Sequence, residues 1–272
     1  MGLDGRVDLD ELITEIRPRL DGAVIATDFD GTLAPLTPDP DRSAPVDGTV
    51  AALQALAARG AQIAVVTGRD AATVVRLGRL EQVPGVVVEG LYGLEQWRDG
   101  ELRSPDTPES MRRLADRLPR VLADAGADPA VWIEDKRLSL VVHTRRASDP
   151  DAEFDRLREP VARLAGELGL EDHPGVQVIE LRLPGYDKAG AVDRLVEEFR
   201  PAALLYLGDD LGDIPAFERV RELRGEGLAA YAVGVLSSGV EPVPAVVDVA
   251  LAAAQDAVAL FRALAGGEAA TA

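Results

Sequence analysis

The feature that most constrains the fold is a short apolar run that ends abruptly in acidic residues. Val24–Thr27 is apolar and rich in β-branched side chains, and Asp28-Phe29-Asp30-Gly31 follows it directly. A run of this kind, closed by a turn signal, predicts a buried strand, and parallel α/β sheets bind ligands beyond the carboxyl ends of their strands. We therefore expect Asp28 and Asp30 to face a ligand, although aspartates also stand at strand ends simply as turn and capping residues.

Further apolar runs alternate with helical patterns in both halves of the chain. The predicted strands are Val24–Thr27, Gln62–Thr67, Val86–Val88, Ala203–Leu207 and Ala230–Val235. The predicted helices between or after them are Val50–Arg59, Ala189–Phe199 and Ala257–Leu264. Strands that alternate with helices indicate a parallel sheet joined by crossover helices. The expected fold class is α/β, with a doubly wound parallel sheet.

The middle of the chain follows a different pattern, in which helical and strand segments form a group of their own. Its predicted elements are helices at Pro108–Ala125 and Asp151–Leu168, apolar strands at Val131–Ile133 and Leu138–Val142, and an alternating strand at Val176–Leu183. Turn-rich or charged stretches bound this small α+β insert on both sides, at Arg98–Pro108 and Pro184–Asp187. We expect a core made of residues 1–103 and 185–272, with residues 104–184 inserted into it.

Charge and composition exclude several classes of function. The net charge of −18 argues against nucleic acid and anionic membrane surfaces as partners. A small anion remains possible, because a metal ion or a few local cations can invert the field of a site. The chain has no cysteine, and Met1–Leu20 lacks the basic and apolar regions of a secretory signal. We expect a cytoplasmic protein, a monomer, with no membrane or nucleic-acid partner.

Lysine is rare in this chain. Only Lys136 and Lys188 occur among 29 basic residues, and the others are arginine. A compact point charge on a flexible stem differs from a guanidinium around phosphate, so a retained lysine indicates a candidate site. The alternative is that these two lysines are present by chance and indicate no site.

A second acidic cluster follows another predicted strand. Gly208-Asp209-Asp210-Leu211-Gly212-Asp213 comes directly after Ala203–Leu207. Carboxylates and carbonyls are the ligands that Mg²⁺ takes, often together with water and a substrate phosphate. Between the two clusters lies Thr67-Gly68-Arg69, which offers a hydroxyl, close backbone approach and a cation. These groups suit a phosphoryl group, although the tripeptide alone is more typical of an ordinary strand-to-helix turn.

Taken together and in this order, these motifs resemble the haloacid dehalogenase superfamily of phosphatases. The resemblance implies that Asp28 attacks phosphorus and that Asp30 acts as general acid and base. It implies that Thr67 and Lys188 hold the phosphate, with Gly68 and Arg69 beside it. It also implies a Mg²⁺ ion near Asp28, the carbonyl of Asp30 and Asp209, with Asp210 and Asp213 as further candidate metal ligands.

The insert narrows the resemblance to the trehalose-6-phosphate phosphatases. One motif of the insert is Glu134-Asp135-Lys136 with Ser139, His143 and Arg145, and another is Glu180-Leu181-Arg182, which precedes Lys188. In the core, Thr32–Pro35 and Gly90–Glu95 also match the family. The resemblance implies that residues 104–184 form an α/β cap that determines substrate specificity. The candidate sugar-binding residues are Glu134, Lys136, Ser139, Glu180 and Arg182. A solvated, charge-paired sheet face is the alternative for each of them, and His143 is expected to be a structural hydrogen-bonding residue.

The resemblance implies hydrolysis of trehalose 6-phosphate to trehalose and phosphate through an aspartyl-phosphate, as the last step of trehalose biosynthesis. This chain departs from the family pattern at Gly212, Ile214 and Pro215, where threonine and acidic residues are expected around the last aspartate. Such neighbours orient metal ligands, so the departure bears on activity. Two rivals remain: a phosphatase of the sucrose-phosphate or mannosyl-3-phosphoglycerate type, and a non-catalytic sugar-phosphate sensor.

Overall fold

The computed structural model describes residues 7–37, 39–236 and 243–266. The first six residues of Met1–Leu20 therefore lie outside the described residues. In the described part, the strands are β1 (Ala23–Thr27), β2 (Gln62–Val66), β3 (Val87–Gly90), β4 (Glu95–Arg98), β5 (Glu101–Arg103), β6 (Trp132–Asp135), β7 (Ser139–His143), β8 (Glu171–Gly175), β9 (Val178–Arg182), β10 (Ala203–Gly208), β11 (Ala229–Val235) and β12 (Val249–Leu251). The helices are α1 (Leu9–Ile16), α2 (Thr49–Ala57), α3 (Ala71–Gly78), α4 (Glu109–Asp124), α5 (Pro150–Glu167), α6 (Lys188–Phe199), α7 (Ile214–Gly225), α8 (Val243–Val246) and α9 (Ala254–Ala265).

The chain divides into two compact units. The first unit comprises Met1–Ser104 and Asp187–Ala272, and the second comprises Pro105–Tyr186. None of the helices in the described part of the chain combines the length and the apolarity needed to cross a membrane.

The first unit is built on an eight-stranded sheet with the order β12-β11-β10-β1-β2-β3-β4-β5. The six strands from β12 to β3 are parallel, and the β4–β5 hairpin extends the β3 edge in antiparallel fashion. Strand order reverses direction between β1 and β10, which is where α/β sheets open a crevice for ligands. The predicted doubly wound α/β fold is confirmed, with a mixed sheet because of the hairpin.

Helices cover both faces of this sheet, as a parallel sheet with two buried faces requires. Alternate residues of β1 show the division: Ala23 and Ile25 pack into a core with α1, α2, α3 and α9. Val24 and Ala26 pack into the opposite core with α6, α7 and α8. All five residues of β1 are buried, which explains why the strand reads as a continuous apolar run.

The second unit is an antiparallel sheet in the order β6-β7-β9-β8. The apolar face of the sheet packs with α4 and α5 around residues that include Leu118, Val142, Leu157 and Ile179. The alternating pattern predicted β9 but not β8. Strand β8 has the sequence Glu-Asp-His-Pro-Gly, is mostly exposed, and therefore carries no apolar signal.

We predict that the second unit depends on Leu157. This side chain is fully buried, so Leu157→Ala should lower the free energy of unfolding by about 2–5 kcal/mol. One tryptophan lies in each unit, so a Trp97→Phe background lets Trp132 fluorescence report urea unfolding of the second unit. Val176→Ala is the matched control, because Val176 is 74% exposed and should change the value by less than about 0.5 kcal/mol. Equal effects of the two variants would contradict the assignment of the core.

Candidate active site

Three parallel strands bring the predicted site residues to one edge of the sheet. Thr27 at the end of β1 pairs with Val65 of β2 and with Leu207 of β10. The backbone N–H of Asp28 donates to the Leu207 carbonyl at 2.8 Å. The segments that follow these strand ends begin with Asp28, Thr67 and Asp209, so all three occupy the same edge.

Lys188 is the only lysine of this edge and is almost completely buried at the start of α6. Its Nζ lies 3.1 Å from Asp28 Oδ2 and 2.7 Å from Asp213 Oδ1. Burial by itself lowers the pKa of Lys188, but the charges of Asp213 and Asp28 outweigh it and hold that pKa well above the usual value. Lys188 therefore stays charged beside Asp28.

Asp213 holds this lysine and the acidic turn together. Its Oδ1 accepts hydrogen bonds from Lys188 Nζ and from the Tyr206 hydroxyl, each at 2.7 Å. Its Oδ2 accepts the backbone N–H groups of Asp209 at 3.0 Å and Asp210 at 3.2 Å. A carboxylate has about four lone-pair positions, and these four donors fill them. Burial favours the neutral acid, yet Lys188 and these hydrogen bonds lower the pKa of Asp213 and keep it ionised.

Tyr206 was missed by the sequence reasoning. It is a fully buried residue of β10, packed edge-on against Phe217 at 5.7 Å between ring centroids. In the sequence, Tyr206 lies within an apolar run that predicts a strand. Only the contact with Asp213 in the folded chain shows that its hydroxyl faces the site. Burial and the Asp213 charge raise the pKa of Tyr206 well above its usual value, so its hydroxyl remains a donor.

The site concentrates negative charge in a way that suits a divalent cation. Among the described residues, Asp28, Asp210 and Asp213 place one carboxylate oxygen each within 4.8 Å of one another. Burial, opposed by Lys188 and reinforced by the other aspartates, raises the pKa of Asp28 well above its usual value. Burial and the charges of Asp213 and Asp210 raise the pKa of Asp209 to about 7. One lysine does not balance this cluster, and hard oxygen ligands of this kind fit Mg²⁺.

Asp209 lies against the loop after β1. The Thr32 hydroxyl donates to Asp209 Oδ1 at 3.3 Å. A Cβ at Gly31, whose φ is +79°, would overlap the Asp209 carboxylate. Glycine at this position therefore allows the D-x-D turn and the second acidic cluster to approach each other.

Asp30 is held by donors from two other segments. Both of its oxygens accept hydrogen bonds from the Arg69 guanidinium, one from Nη2 at 2.6 Å and the other from Nε. The Ser43 hydroxyl donates to Asp30 Oδ1 at 3.0 Å. Arg69, expected to bind substrate, thus contacts Asp30, and Ser43 is a residue that sequence reasoning did not single out.

Thr67 and Gly68 lie where the loops after β2 and β3 pack together. The Thr67 hydroxyl is buried and accepts the backbone N–H of Arg69 at 3.1 Å. The Tyr92 N–H donates to the Thr67 carbonyl at 3.0 Å, and a Cβ on Gly68 would overlap the Tyr92 hydroxyl. The glycine therefore has a packing reason as well as the expected role of close backbone approach.

The three departures from the family pattern leave the acidic turn intact. The Gly212 N–H donates to Asp210 Oδ1 at 2.9 Å, and Asp210 and Asp213 cap the turn reciprocally. Pro215 falls in the first turn of α7, where its missing N–H removes no helical hydrogen bond. Ile214 begins the same helix. With the turn and the helix start both formed, the aspartates keep their backbone donors despite the three changes.

In the second unit, the candidate sugar-binding residues share one sheet face or its rim. The Ser139 hydroxyl donates to Glu180 Oε1 at 2.9 Å, and Lys136 Nζ lies 3.7 Å from the same oxygen. Glu134 contacts His143 Nε2 at 2.8 Å, and Arg182 Nη2 contacts His173 Nδ1 at 3.0 Å. Ser139, Glu180 and Arg182 are buried, which differs from a solvated, charge-paired face.

His143 has the structural surroundings that the sequence reasoning expected. Its ring stacks on Trp132, its cross-strand partner, with centroids 4.3 Å apart and planes at 3°. The Arg146 guanidinium covers Trp132 at 4.2 Å from the ring centroid. The stack and the contact with Glu134 fix the imidazole in place.

Comparison with known proteins decides the family. The family model described as Trehalose-phosphatase matches residues 26–249, most of the chain. The chain belongs to the trehalose-phosphatase family. A curated relative, trehalose-phosphate phosphatase of Mycobacterium avium (strain 104), is 38% identical over 206 residues, which cover 71% of this chain and 50% of the relative. The chain thus spans about half the length of this trehalose-phosphatase family relative.

Solved structures agree on the fold. The C-terminal domain of Candida albicans trehalose-6-phosphate phosphatase has a TM-score of 0.75 at 24% identity and covers 97% of this chain and 98% of its own. The C-terminal domain of the Candida albicans trehalose synthase regulatory protein has a TM-score of 0.71 at 13% identity, with coverage of 96% and 99%. At these identities the likeness establishes the trehalose-phosphatase fold and nothing further about chemistry.

We predict that Mg²⁺ stabilises the protein more at about pH 8 than at about pH 5.5. The pKa of Asp209 is about 7 in the folded state, above the value of about 3.9 in an unfolded chain. In the window from about pH 4 to about pH 7, Asp209 therefore binds more protons in the folded state than in the unfolded chain. The stability that this protonation contributes is lost as the pH rises through the window. Above this window Asp209 is ionised and its charge repels Asp213 and Asp210, so a bound cation stabilises the folded state most there.

Thermal denaturation with Mg²⁺ and with chelator at both pH values measures this difference. Asp209→Asn should reduce the Mg²⁺-dependent rise in Tm, whereas Asp47→Asn, at an exposed acidic residue, should preserve it. A Mg²⁺ effect that is absent, or equal at both pH values, would contradict the prediction.

Proposed function

We propose that this chain is a Mg²⁺-dependent phosphatase that hydrolyses trehalose 6-phosphate to trehalose and phosphate, the last step of trehalose biosynthesis. Family membership supports the reaction class, and the name of the Mycobacterium avium relative supports the substrate. The observation that carries the proposal is the ion pair between Asp28 and buried Lys188, at the edge where the segments after β1, β2 and β10 meet. An aspartate nucleophile beside a fixed cation suits phosphoryl transfer.

The first half of the proposed reaction transfers the phosphoryl group to Asp28. One carboxylate oxygen of Asp28 attacks phosphorus, and the bond from phosphorus to the sugar oxygen breaks. Lys188, fixed by Asp213, offers positive charge beside the attacking carboxylate, and Thr67 offers a hydroxyl at the same sheet edge. Asp30 donates a proton to the departing alkoxide, which leaves as the trehalose hydroxyl.

The second half releases phosphate. Asp30 accepts a proton from water as the water oxygen attacks phosphorus, and the bond from phosphorus to Asp28 breaks. Asp30 is then protonated and Asp28 is a free carboxylate, so the cycle closes. Asp28 and Asp210, together with the Asp30 carbonyl and Asp209, would hold a Mg²⁺ ion, which would supply positive charge to the phosphoryl oxygens. Asp213 adds negative charge to the cluster while its oxygens hold Lys188 and the turn.

Residues 1–103 and 185–272 supply the chemistry in this proposal, and the inserted segment 104–184 recognises the sugar. Glu180 supports this division, because it is 8% exposed and bonded to Ser139 beside Lys136. A buried carboxylate that accepts from a hydroxyl, with a half-buried ammonium beside it, suits the recognition of sugar hydroxyls. Glu134 and Arg182 complete the candidate set, each oriented by a histidine.

A panel of sugar phosphates tests the substrate. We expect phosphate release to be greatest from trehalose 6-phosphate, to require Mg²⁺, and to be weak from glucose 6-phosphate, sucrose 6-phosphate and mannosyl-3-phosphoglycerate. Asp28→Asn should abolish release, because an amide cannot form the acyl-phosphate, whereas Asp47→Asn should retain it.

The other outcomes separate the rivals. Preference for another panel member would retain the mechanism and discard the substrate. Release by Asp28→Asn at the wild-type rate would rule out the aspartyl-phosphate. Thermal stabilisation by trehalose 6-phosphate without any phosphate release would favour the sensor.

Glu180→Gln tests sugar recognition separately from the chemistry. The change removes a charge but keeps an acceptor for Ser139, so the fold should be preserved. We expect the ratio of kcat/KM for trehalose 6-phosphate to kcat/KM for p-nitrophenyl phosphate to fall about 10-fold or more, the value of a hydrogen bond to a charged group. Glu159→Gln, on an exposed face of α5, is the matched control and should leave that ratio unchanged. Equal losses on both substrates would remove Glu180 from sugar binding.

A further inference from the structure

The Asp30 side chain is held by Ser43, from the connection between β1 and α2, and by Arg69, from the loop after β2. The Asp30 side chain is 29% exposed, in contrast to buried Asp28 and Asp213. Asp30 stands in the turn after β1, where the Gly31 N–H donates to the Ala34 carbonyl at 2.7 Å. A side chain with this freedom needs external contacts to hold one direction.

Ser43 supplies one of those contacts from a fixed position. It is 2% exposed and follows the short turn Pro40–Arg42, where its N–H donates to the Pro40 carbonyl at 3.2 Å. Its hydroxyl then donates to Asp30 Oδ1 at 3.0 Å. The serine has a single side-chain torsion to the hydroxyl oxygen and a buried backbone, so it fixes that oxygen of Asp30 with little freedom of its own.

Arg69 is a contact of a different kind. It bonds both Asp30 oxygens and also donates from Nη1 to the Pro40 carbonyl at 2.9 Å. Its guanidinium is always a donor and has no acceptor, so it cannot accept a hydrogen bond from an Asp30 oxygen that carries a proton. A serine hydroxyl can donate to a carboxylate and accept from a carboxylic acid. Ser43 can therefore remain bonded to Asp30 before and after a proton moves, which Arg69 cannot do through the same oxygen.

We propose that Ser43 is a positioning residue that directs the Asp30 carboxyl toward the leaving oxygen of the substrate. This inference rests on the proposed function, in which Asp30 is the general acid. Ser43 acts through Asp30 and does not itself touch the substrate. Its loss leaves Asp30 present but less well directed, so the protonation of a poor leaving group slows while the attack by Asp28 does not.

The dependence on the leaving group tests this role. The trehalose alkoxide needs a proton to leave, whereas p-nitrophenolate leaves without one. The constant kcat/KM reports the step that forms the aspartyl-phosphate, in which the leaving group departs. We expect Ser43→Ala to lower the ratio of kcat/KM for trehalose 6-phosphate to kcat/KM for p-nitrophenyl phosphate by about 10-fold. Ser43→Thr, which keeps the hydroxyl, should restore the ratio to within about 3-fold of wild type.

Thr49→Val is the matched control. Thr49 is a buried hydroxyl residue at the start of α2, where the same connection ends, and it donates to the Val46 carbonyl at 2.7 Å rather than to Asp30. Its loss should affect both substrates equally and leave the ratio unchanged. Each variant is compared with wild type by thermal denaturation, so that a folding defect is measured separately.

Three results would overturn the inference. An unchanged ratio in Ser43→Ala would remove Ser43 from positioning while the proposed function stands. A loss of the ratio in Thr49→Val as large as in Ser43→Ala would assign the effect to the loop as a whole. Wild-type protein that releases phosphate from neither substrate would overturn the proposed function and the role of Ser43 together.

Discussion

The site depends on one buried positive charge. Removing a lysine ammonium from water costs several kcal/mol unless paired groups replace the lost hydration. Lys188 obtains those groups from Asp28 and Asp213, and Asp213 in turn obtains its donors from Tyr206 and from the backbone of the 209–213 turn. The position of the candidate nucleophile is therefore set jointly by the ends of β1 and β10, the start of α6, and one tight turn.

This arrangement requires close packing that only glycine permits. A Cβ at Gly208 would overlap the Asp213 carboxyl group, and a Cβ at Gly31 would overlap that of Asp209. Both glycines stand next to acidic residues in the sequence motifs, so the same short segments supply the carboxylates and the space that these carboxylates fill. The acidic residues and the glycines of these motifs therefore serve the same structural requirement, which is the close approach of the carboxylates to the backbone.

The fold and the centre of the site could be predicted from sequence because both depend on local patterns. Apolar runs identify β1 and β10, and parallel pairing then brings Asp28 and Asp209 to one edge without further information. Lysine is rare in this chain, and Lys188, one of its two lysines, forms an ion pair with Asp28 in the folded chain. Ser43 and Tyr206 gave no such signal, because their roles depend on contacts made by the folded chain. The β4–β5 hairpin and β8 were missed because partly exposed strands lack an apolar run.

The charge of the site also explains how a strongly acidic chain can accept an anion. Among the described residues, Lys188 and Arg69 are cations at this edge, and each is already paired with an aspartate. A phosphate that approached these groups alone would meet an excess of carboxylates, and burial makes that repulsion stronger than in water. A divalent cation bound by the same carboxylates reverses the balance, so cation and phosphate should each increase the affinity for the other by the same factor. Burial, and after it the charges of the neighbouring aspartates, raise the pKa values of Asp28 and Asp209, and a bound cation would oppose both effects by favouring the ionised carboxylates.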